Sequence, residues 1–336
     1  MVGMDEVRWG IVGCGNVTEK KSGPAFNKAE GSRLAAVMRR DAAKAEDYAR
    51  RHGVPRWYAD ADELIGDPEV DAVYVATPPD SHADYVRRAA AAGKPVYVEK
   101  PMARTAAECE SMVAACQKAG VPLFVAYYRR ALPYFLRIKE LVGDGAIGPV
   151  RCVRAELVYP PQRGDRDADP AAQNWRVRPE VSGGGYFFDL ASHQLDYLDC
   201  LLGPLEGVAG QTANHAGWYS AEDAVSASWR FEGGALGVGL WCFTARPGPR
   251  SDRVEIVGGD GKLVFSTFDF APIRLETRLG VREFAIEPPE HVQQPLVQQI
   301  VDQLRGRGRC ASDGESALRT ARVMDQIVGR GPERAQ

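Results

Sequence analysis

The chain has 336 residues, of which 45% are hydrophobic, 26% charged and 9% aromatic, and this balance excludes disordered and collagen-like classes. Its length exceeds the ~250–300 residues at which a single core stops growing, so two domains are expected. With 42 basic and 45 acidic residues the net charge is -3, which offers no electrostatic footprint for nucleic acid or an anionic membrane. The seven cysteines are scattered and form no CxxC pair, which speaks against a disulfide framework or a zinc site. Asp5, Glu6 and Arg8 stand where a signal peptide needs its apolar core, and no apolar run reaches ~18 residues, so a cytoplasmic location is expected.

The first third alternates short apolar runs with longer amphipathic ones, the pattern of stacked βαβ units on a parallel sheet. Strands are predicted over 7–13, 33–39, 71–76, 95–99 and 122–126. Helices are predicted over 42–52, 81–92 and 105–119, each followed by a glycine (Gly53, Gly93, Gly120) suited to a left-handed terminus. Beyond about residue 124 the rhythm changes: a helix over 133–142, a strand over 150–159, a Pro/Asp/Arg-rich loop over 160–180 and a helix over 185–202. Strands follow over 208–214, 223–231, 235–244, 253–257, 262–266, 273–277 and 281–286. Gly233-Gly234 and Gly259-Asp260-Gly261 are hairpin signals. Helices over 293–304 and 315–328 close the chain. The fold class is α/β: a doubly wound parallel sheet over residues 1–125, then an α+β domain with a large, mostly antiparallel sheet over 126–336, whose last helices are free to pack back on the first domain.

Four segments carry chemistry. The first strand runs into Gly10-Ile-Val-Gly13-Cys-Gly15-Asn16-Val17-Thr18, a dinucleotide fingerprint in its strand-to-helix setting. Gly13 permits the tight turn, and Gly15 lets backbone N–H groups approach a pyrophosphate. Thr18 replaces the third glycine and Pro24 interrupts the helix that follows. The second strand ends in Arg39-Arg40, where an NAD enzyme carries a carboxylate for the ribose 2′-OH; two guanidiniums suit a 2′-phosphate, so NADP is favoured over NAD. Asp41, next in line, keeps the NAD alternative open. Thr77-Pro78-Pro79 with Ser81 and His82, and Glu99-Lys100-Pro101, fall at the C-terminal ends of later strands, where open α/β sheets bind their ligands. Lys100 is an amine that desolvation adapts to acid/base work. His82 serves either there or as a first-turn residue of its helix. Finally, Gly183-Gly184-Gly185 precedes Asp189, His193 and Asp196, whose i, i+4, i+7 spacing stacks them on one helical face, with the glycines allowing a ligand close to the helix start. No second His/Cys/Glu cluster completes a metal site, so none is expected.

Taken together in order and spacing, these motifs and Asn174-Trp175-Arg176 resemble the Gfo/Idh/MocA family of NAD(P)-dependent dehydrogenases and reductases over nearly the whole chain. The resemblance implies a Rossmann domain and a C-terminal open sheet whose exposed face forms homodimers or homotetramers. It implies Lys100, His193 and Asp189 as catalytic residues. It assigns cofactor contacts to Gly13, Gly15, Asn16, Val17, Arg39, Arg40, Thr77, Pro78, His82, Glu99 and Lys100. Substrate contacts fall to Lys100, Trp175, Arg176, Asp189 and His193, with Tyr127, Tyr128 and Arg130 at the crossing between domains. A cis Lys100–Pro101 peptide is also implied. Ala191 departs from the family's glycine in the DxGxH stretch. The expected reaction is hydride transfer between nicotinamide C4 and a carbinol or carbonyl carbon of a sugar, polyol or related polar small molecule. Two alternatives stand beside it: a dihydrodiol or other planar-substrate dehydrogenase of the same fold, and a non-catalytic dinucleotide-binding regulator. The intact Lys100, Asp189 and His193 set argues against the second. The charged loop with Gln162, Arg163, Asp165, Arg166, Asp167, Asp169 and Asn174 favours a polar substrate.

Overall fold

In a computed structural model, residues 5–245 and 250–330 are described. They fall into two compact units, Met1–Leu132 with Pro289–Leu318, and Pro133–Pro288 with Arg319–Gln336. The first unit is built from β1 (Val7–Val12), α1 (Asn16–Lys20), α2 (Gly23–Lys28), β2 (Ser32–Met38), α3 (Ala42–His52), β3 (Arg56–Tyr58), α4 (Ala61–Gly66), β4 (Ala72–Val75), α5 (His82–Ala91), β5 (Val96–Val98), α6 (Ala106–Ala119) and β6 (Leu123–Val125). Its six strands are parallel in the order β3-β2-β1-β4-β5-β6, the doubly wound arrangement of a Rossmann domain. Strands β4, β5 and β6 are buried throughout, as a sheet covered on both faces requires.

Helix ends follow the sequence chemistry. Asp41 and Thr105 cap α3 and α6 by accepting from the backbone N–H of Lys44 and Glu108, and Gly53 and Gly120 end the same helices in the left-handed conformation. Pro24 sits in the first turn of α2, so the predicted interruption is a break between two short helices. Two elements escape the periodicity reading. β3 has three residues, partly exposed, and α4 has six, so neither presents a pattern long enough to detect.

The second unit opens with α7 (Pro133–Gly143) and β7 (Val150–Val158), and continues through α8 (Pro179–Ser182) and α9 (Ser192–Leu202) into β8 (Leu205–Ala213), β9 (Ala224–Phe231), β10 (Leu236–Cys242), β11 (Ser251–Gly258), β12 (Gly261–Phe265), β13 (Ile273–Thr277) and β14 (Gly280–Phe284). The chain closes with α10 (Gln294–Leu304) and α11 (Gly314–Ile327). The sheet order is β14-β13-β12-β11-β7-β10-β9-β8, antiparallel except for the β7/β10 pair. On β10 the usual alternation is inverted. Gly237 and Gly239 face inward, where a Cβ would collide with the indoles of Trp229 and Trp241, and Leu236, Val238 and Leu240 face outward at 54%, 50% and 50% exposure. Trp241 Nε1 in turn donates to Gln194 Oε1 at 2.7 Å, which joins the sheet's inner face to α9. No helix among the described residues is long and apolar enough to cross a membrane.

The fingerprint helix is tied to its neighbour by charge. Arg51 and His52 at the end of α3 both reach Glu19 of α1, and the Arg51 guanidinium, followed by His52, holds the Glu19 carboxyl down at about 2. A carboxyl depressed in the folded state stabilises above its unfolded value and loses that contribution as pH falls toward the folded one. Glu19→Gln is therefore expected to cost about 0.5–1 kcal/mol at pH 7, the range for a partly exposed ion pair. In urea melts the gap to wild type should shrink as pH drops below 4.5; a gap that stays constant down to pH 3 contradicts the assignment.

Candidate active site

Because the strands of the first unit are parallel and adjacent, their C-terminal ends bring the sequence motifs to one edge of one sheet. The segments after β2, β1, β4 and β5 carry Arg39, Gly13 to Val17, Thr77 with Pro78, and Glu99 with Lys100. Gly13 is required twice over: its φ is +92°, and a Cβ there would lie 2.6 Å from Thr77 Cγ2. Its N–H and that of Cys14 donate to Met38 O, and Arg39 Nη1 donates to Cys14 O, so the loop is moulded onto the end of β2. At Gly15 a Cβ would meet nothing nearer than Gly13 O at 3.8 Å. That open cradle fits a dinucleotide phosphate approaching the backbone. Thr18 is fully buried and turns its hydroxyl onto Gly15 O at 2.8 Å. The close helix approach falls instead to Gly23, where a Cβ would collide with Thr18 O and the Tyr48 hydroxyl. Burial pushes the Cys14 thiol up to about 11, so it stays protonated and unreactive at neutral pH.

At the end of β2, Arg39 is half-buried and Arg40 exposed. Asp41 is engaged elsewhere, capping α3 and pairing with Lys44 Nζ at 2.8 Å, which holds its carboxyl below the usual range. Asn16 is exposed and Val17 half-buried in the first turn of α1.

The Glu99-Lys100-Pro101 segment is held from beneath. Glu99 Oε1 accepts from the Tyr74 hydroxyl and from Gln293 Nε2, both at 2.6 Å, and Glu99 Oε2 accepts from the Lys100 backbone N–H at 3.1 Å. Tyr97 donates to Gln293 Oε1 at 2.7 Å, and burial keeps both tyrosines protonated. The Lys100–Pro101 peptide is cis. Glu99 is thus a buried support for the Lys100 backbone. Nothing near Glu99 in sequence announces Tyr74 or Gln293, the latter 194 positions away.

His82 requires a correction. Its ring is fully buried, with Nε2 2.7 Å from Thr77 O and Nδ1 3.2 Å from both Pro101 O and Met102 O. Burial lowers its proton affinity, against the pull of those carbonyls, so the ring is a staple between two loops and presents no nitrogen to a cofactor.

In the second unit the predicted continuous helix over 185–202 is interrupted. Phe187–Ala191 forms a wide π-helical turn before α9 begins. Asp189 lies in that turn and accepts from Arg176 Nε at 3.0 Å, while Asp196 accepts from Thr320 Oγ1 of α11. Arg176 also lies over the Trp175 ring, 4.4 Å from its centroid. His193 is buried in the first turn of α9, edge-on to Phe268 with ring centroids 5.9 Å apart. The glycines before the turn serve packing, not ligand approach: a Cβ on Gly184 would strike the Phe188 ring, and one on Gly185 would lie 2.9 Å from Glu222 O. The charged loop is pinned in the same region. Buried Asp165 accepts from the Tyr186 hydroxyl at 2.8 Å, and Asn174 Nδ2 donates to that same hydroxyl oxygen at 3.0 Å. Asp165 and Tyr186 were not legible as partners, since 21 positions separate them in sequence. Tyr127, Tyr128 and Arg130 are buried, and Arg130 donates to Ala311 O and Ser316 Oγ.

Comparison with known proteins agrees with the fold of both units. The model of the oxidoreductase family with an NAD-binding Rossmann fold matches residues 7–127, and that of the GFO/IDH/MocA C-terminal domain matches residues 135–264. An oxidoreductase of Formosa agariphila is 39% identical over 96% of this chain and 98% of its own. The 1,5-anhydro-D-fructose reductase of Ensifer adhaerens is 28% identical over 93% and 92%. Among solved structures, the aldose-aldose oxidoreductase of Caulobacter crescentus superposes with a TM-score of 0.84 at 27% identity, covering 97% of each chain. The chain is a member of the Gfo/Idh/MocA family of NAD(P)-dependent oxidoreductases.

Proposed function

We propose that this oxidoreductase acts on a carbinol or carbonyl carbon of a sugar, polyol or related small polar substrate. The observation that carries the reading is the Trp175, Arg176 and Asp189 group: a guanidinium on an indole beside a carboxylate offers donors, an acceptor and an apolar face together, as a hydroxyl-bearing carbon skeleton needs. The sugar substrates in the names of two relatives support it.

When bound, the nicotinamide ring supplies the hydride acceptor or donor. The chain's part is to hold, orient and move a proton. Lys100 and His193 are the groups that exchange the hydroxyl proton, an effect worth about 10²–10⁴ in rate. Asp189 anchors Arg176 for the substrate. Gly13, Gly15, Asn16, Val17, Thr77 and Pro78 hold the dinucleotide, with Glu99 supporting Lys100 from below. The Arg39 and Arg40 guanidiniums favour a 2′-phosphate and hence NADP, a reading supported by the diversion of Asp41 to cap α3. The outward Leu236, Val238 and Leu240 of β10 form the apolar centre of a face suited to a second copy of the chain, as a homodimer or homotetramer. The seven free cysteines suit a reducing cytoplasm.

Three outcomes test the reading. Nicotinamide absorbance at 340 nm should change with NADP against some member of a panel of sugars, polyols and cyclic diols; an inert panel contradicts the substrate class. Lys100→Met and His193→Ala should each lower turnover by about 10²-fold or more with the dinucleotide Kd nearly unchanged; wild-type turnover in both overturns their assignment. Replacing Arg39 and Arg40 by Ala should weaken NADP by about 10–100-fold, the worth of a lost charge-assisted hydrogen bond, and leave NAD within a factor of three. Tighter binding of NAD than NADP by the wild-type protein contradicts the preference.

A further inference from the structure

The segment from Ser266 to Ala271, between β12 and β13, has no regular structure, yet side chains bind most of its backbone. Asp252 of β11 receives the N–H of Thr267 at 2.9 Å on Oδ1 and 3.0 Å on Oδ2, and on Oδ2 also those of Phe268 at 2.6 Å and Asp269 at 3.0 Å. The Tyr134 hydroxyl accepts from Ser266 N and donates to Ala271 O, which closes the two ends of the loop, and Ser266 Oγ accepts from Ala271 N. Phe270 takes φ +49°, a left-handed conformation that costs a bulky side chain free energy and that glycine would adopt without penalty. Its ring is retained there by edge contacts with Tyr134 and Phe135. Arg250 pairs with the Asp269 carboxylate.

This anchoring acts on backbone atoms, so the loop's shape needs no particular side chain at position 268. The side chain that stands there is a half-buried phenyl, edge-on to the His193 imidazole at 5.9 Å and 77°. A loop held this firmly that delivers one aromatic ring to an acid/base residue fits a specificity role. Aromatic rings stack on the C–H face of a saturated ring or the π face of a planar one, whereas an open chain presents no such fixed face.

We propose that Phe268 is an aromatic wall of the substrate site that stacks on a ring-shaped substrate, and that Asp252 is the positioning residue that fixes it there. The proposal rests on the reading of His193 as an acid/base group. It makes Phe268 a determinant of ring against open-chain selection, and Asp252 acts only through it.

The test is steady-state kinetics on the full chain with saturating cofactor, using the aldopyranose or cyclitol that wild type turns over and the matching open-chain alditol as competitive inhibitor. Phe268→Leu should raise KM for the ring by about 10-fold, a loss in the range of an aromatic contact, with kcat within about threefold and the cofactor KM unchanged. The alditol inhibition constant should stay within about twofold, and Phe268→Tyr, which keeps the ring, should restore wild-type KM. Asp252→Asn, which leaves one acceptor oxygen for three amides, should raise KM in the same direction. If Asp252→Asn does not fold, the two Phe268 variants decide. An unchanged ring KM in Phe268→Leu, or equal losses for ring, alditol and cofactor, overturns the proposal while leaving the proposed reaction standing. No turnover of any carbinol by wild type overturns that reaction and this proposal with it.

Discussion

The buried carboxylate of Glu99 is the contact on which the Lys100 end of the first unit's sheet depends. It gathers β4 through Tyr74, the segment before α10 through Gln293, and the backbone of Lys100, and Tyr74 continues to Ser22 Oγ between α1 and α2. A carboxylate out of water must have its lone pairs satisfied, or it costs more than it contributes. Here the donors are the Tyr74 hydroxyl, the Gln293 amide and the adjacent Lys100 N–H, so the carboxylate is satisfied only when all three are in place. The backbone of Lys100 hangs from this node, which fixes the segment that carries the lysine. The stapling of Thr77, Pro101 and Met102 by His82 reinforces the same edge of the sheet.

The second unit meets an equivalent need with packing. The inward glycines of β10 leave room for two indoles, and Trp241 is held by Gln194 of α9. Tyr197 of α9 donates to Phe135 O, and Asp199 pairs with Arg319 of α11, so α9 is fixed on several sides and His193 with it. The wide turn before α9 turns Asp189 toward Arg176. A π-helical turn is rare and short, and the extra residue it takes in changes the direction of the side chains that follow.

Much of this was legible in the sequence for a definite reason. Parallel strands read as apolar runs, helices as amphipathic stretches ended by glycine, and motifs at strand ends inherit a common edge from the topology. Local features therefore carried the fold and placed Gly13, Gly15, Arg39 and Lys100 at the C-terminal ends of their strands. The unread part consists of contacts between residues far apart in sequence and of register changes invisible to composition. Gln293 meets Glu99, and Asp252 meets Thr267 to Asp269, with no local signal in either partner. The π-helical turn uses the same residues that an α-helix would. Glycine and histidine serve binding and packing equally well, so Gly184, Gly185 and the ring of His82 are ambiguous in sequence; only their neighbours, Phe188 and Glu222 in one case and three carbonyls in the other, decide between the two.

The central claim, direct hydride exchange between a carbinol carbon and the nicotinamide, is tested most directly by isotope transfer. The full chain is given oxidised NADP and the sugar or polyol it turns over, deuterated at the reacting carbon, and the reduced dinucleotide is analysed by mass spectrometry and NMR. The account predicts one deuterium per turnover, retained at C4 of the nicotinamide. Deuterium lost to solvent, or product formed without reduced nicotinamide, would contradict it.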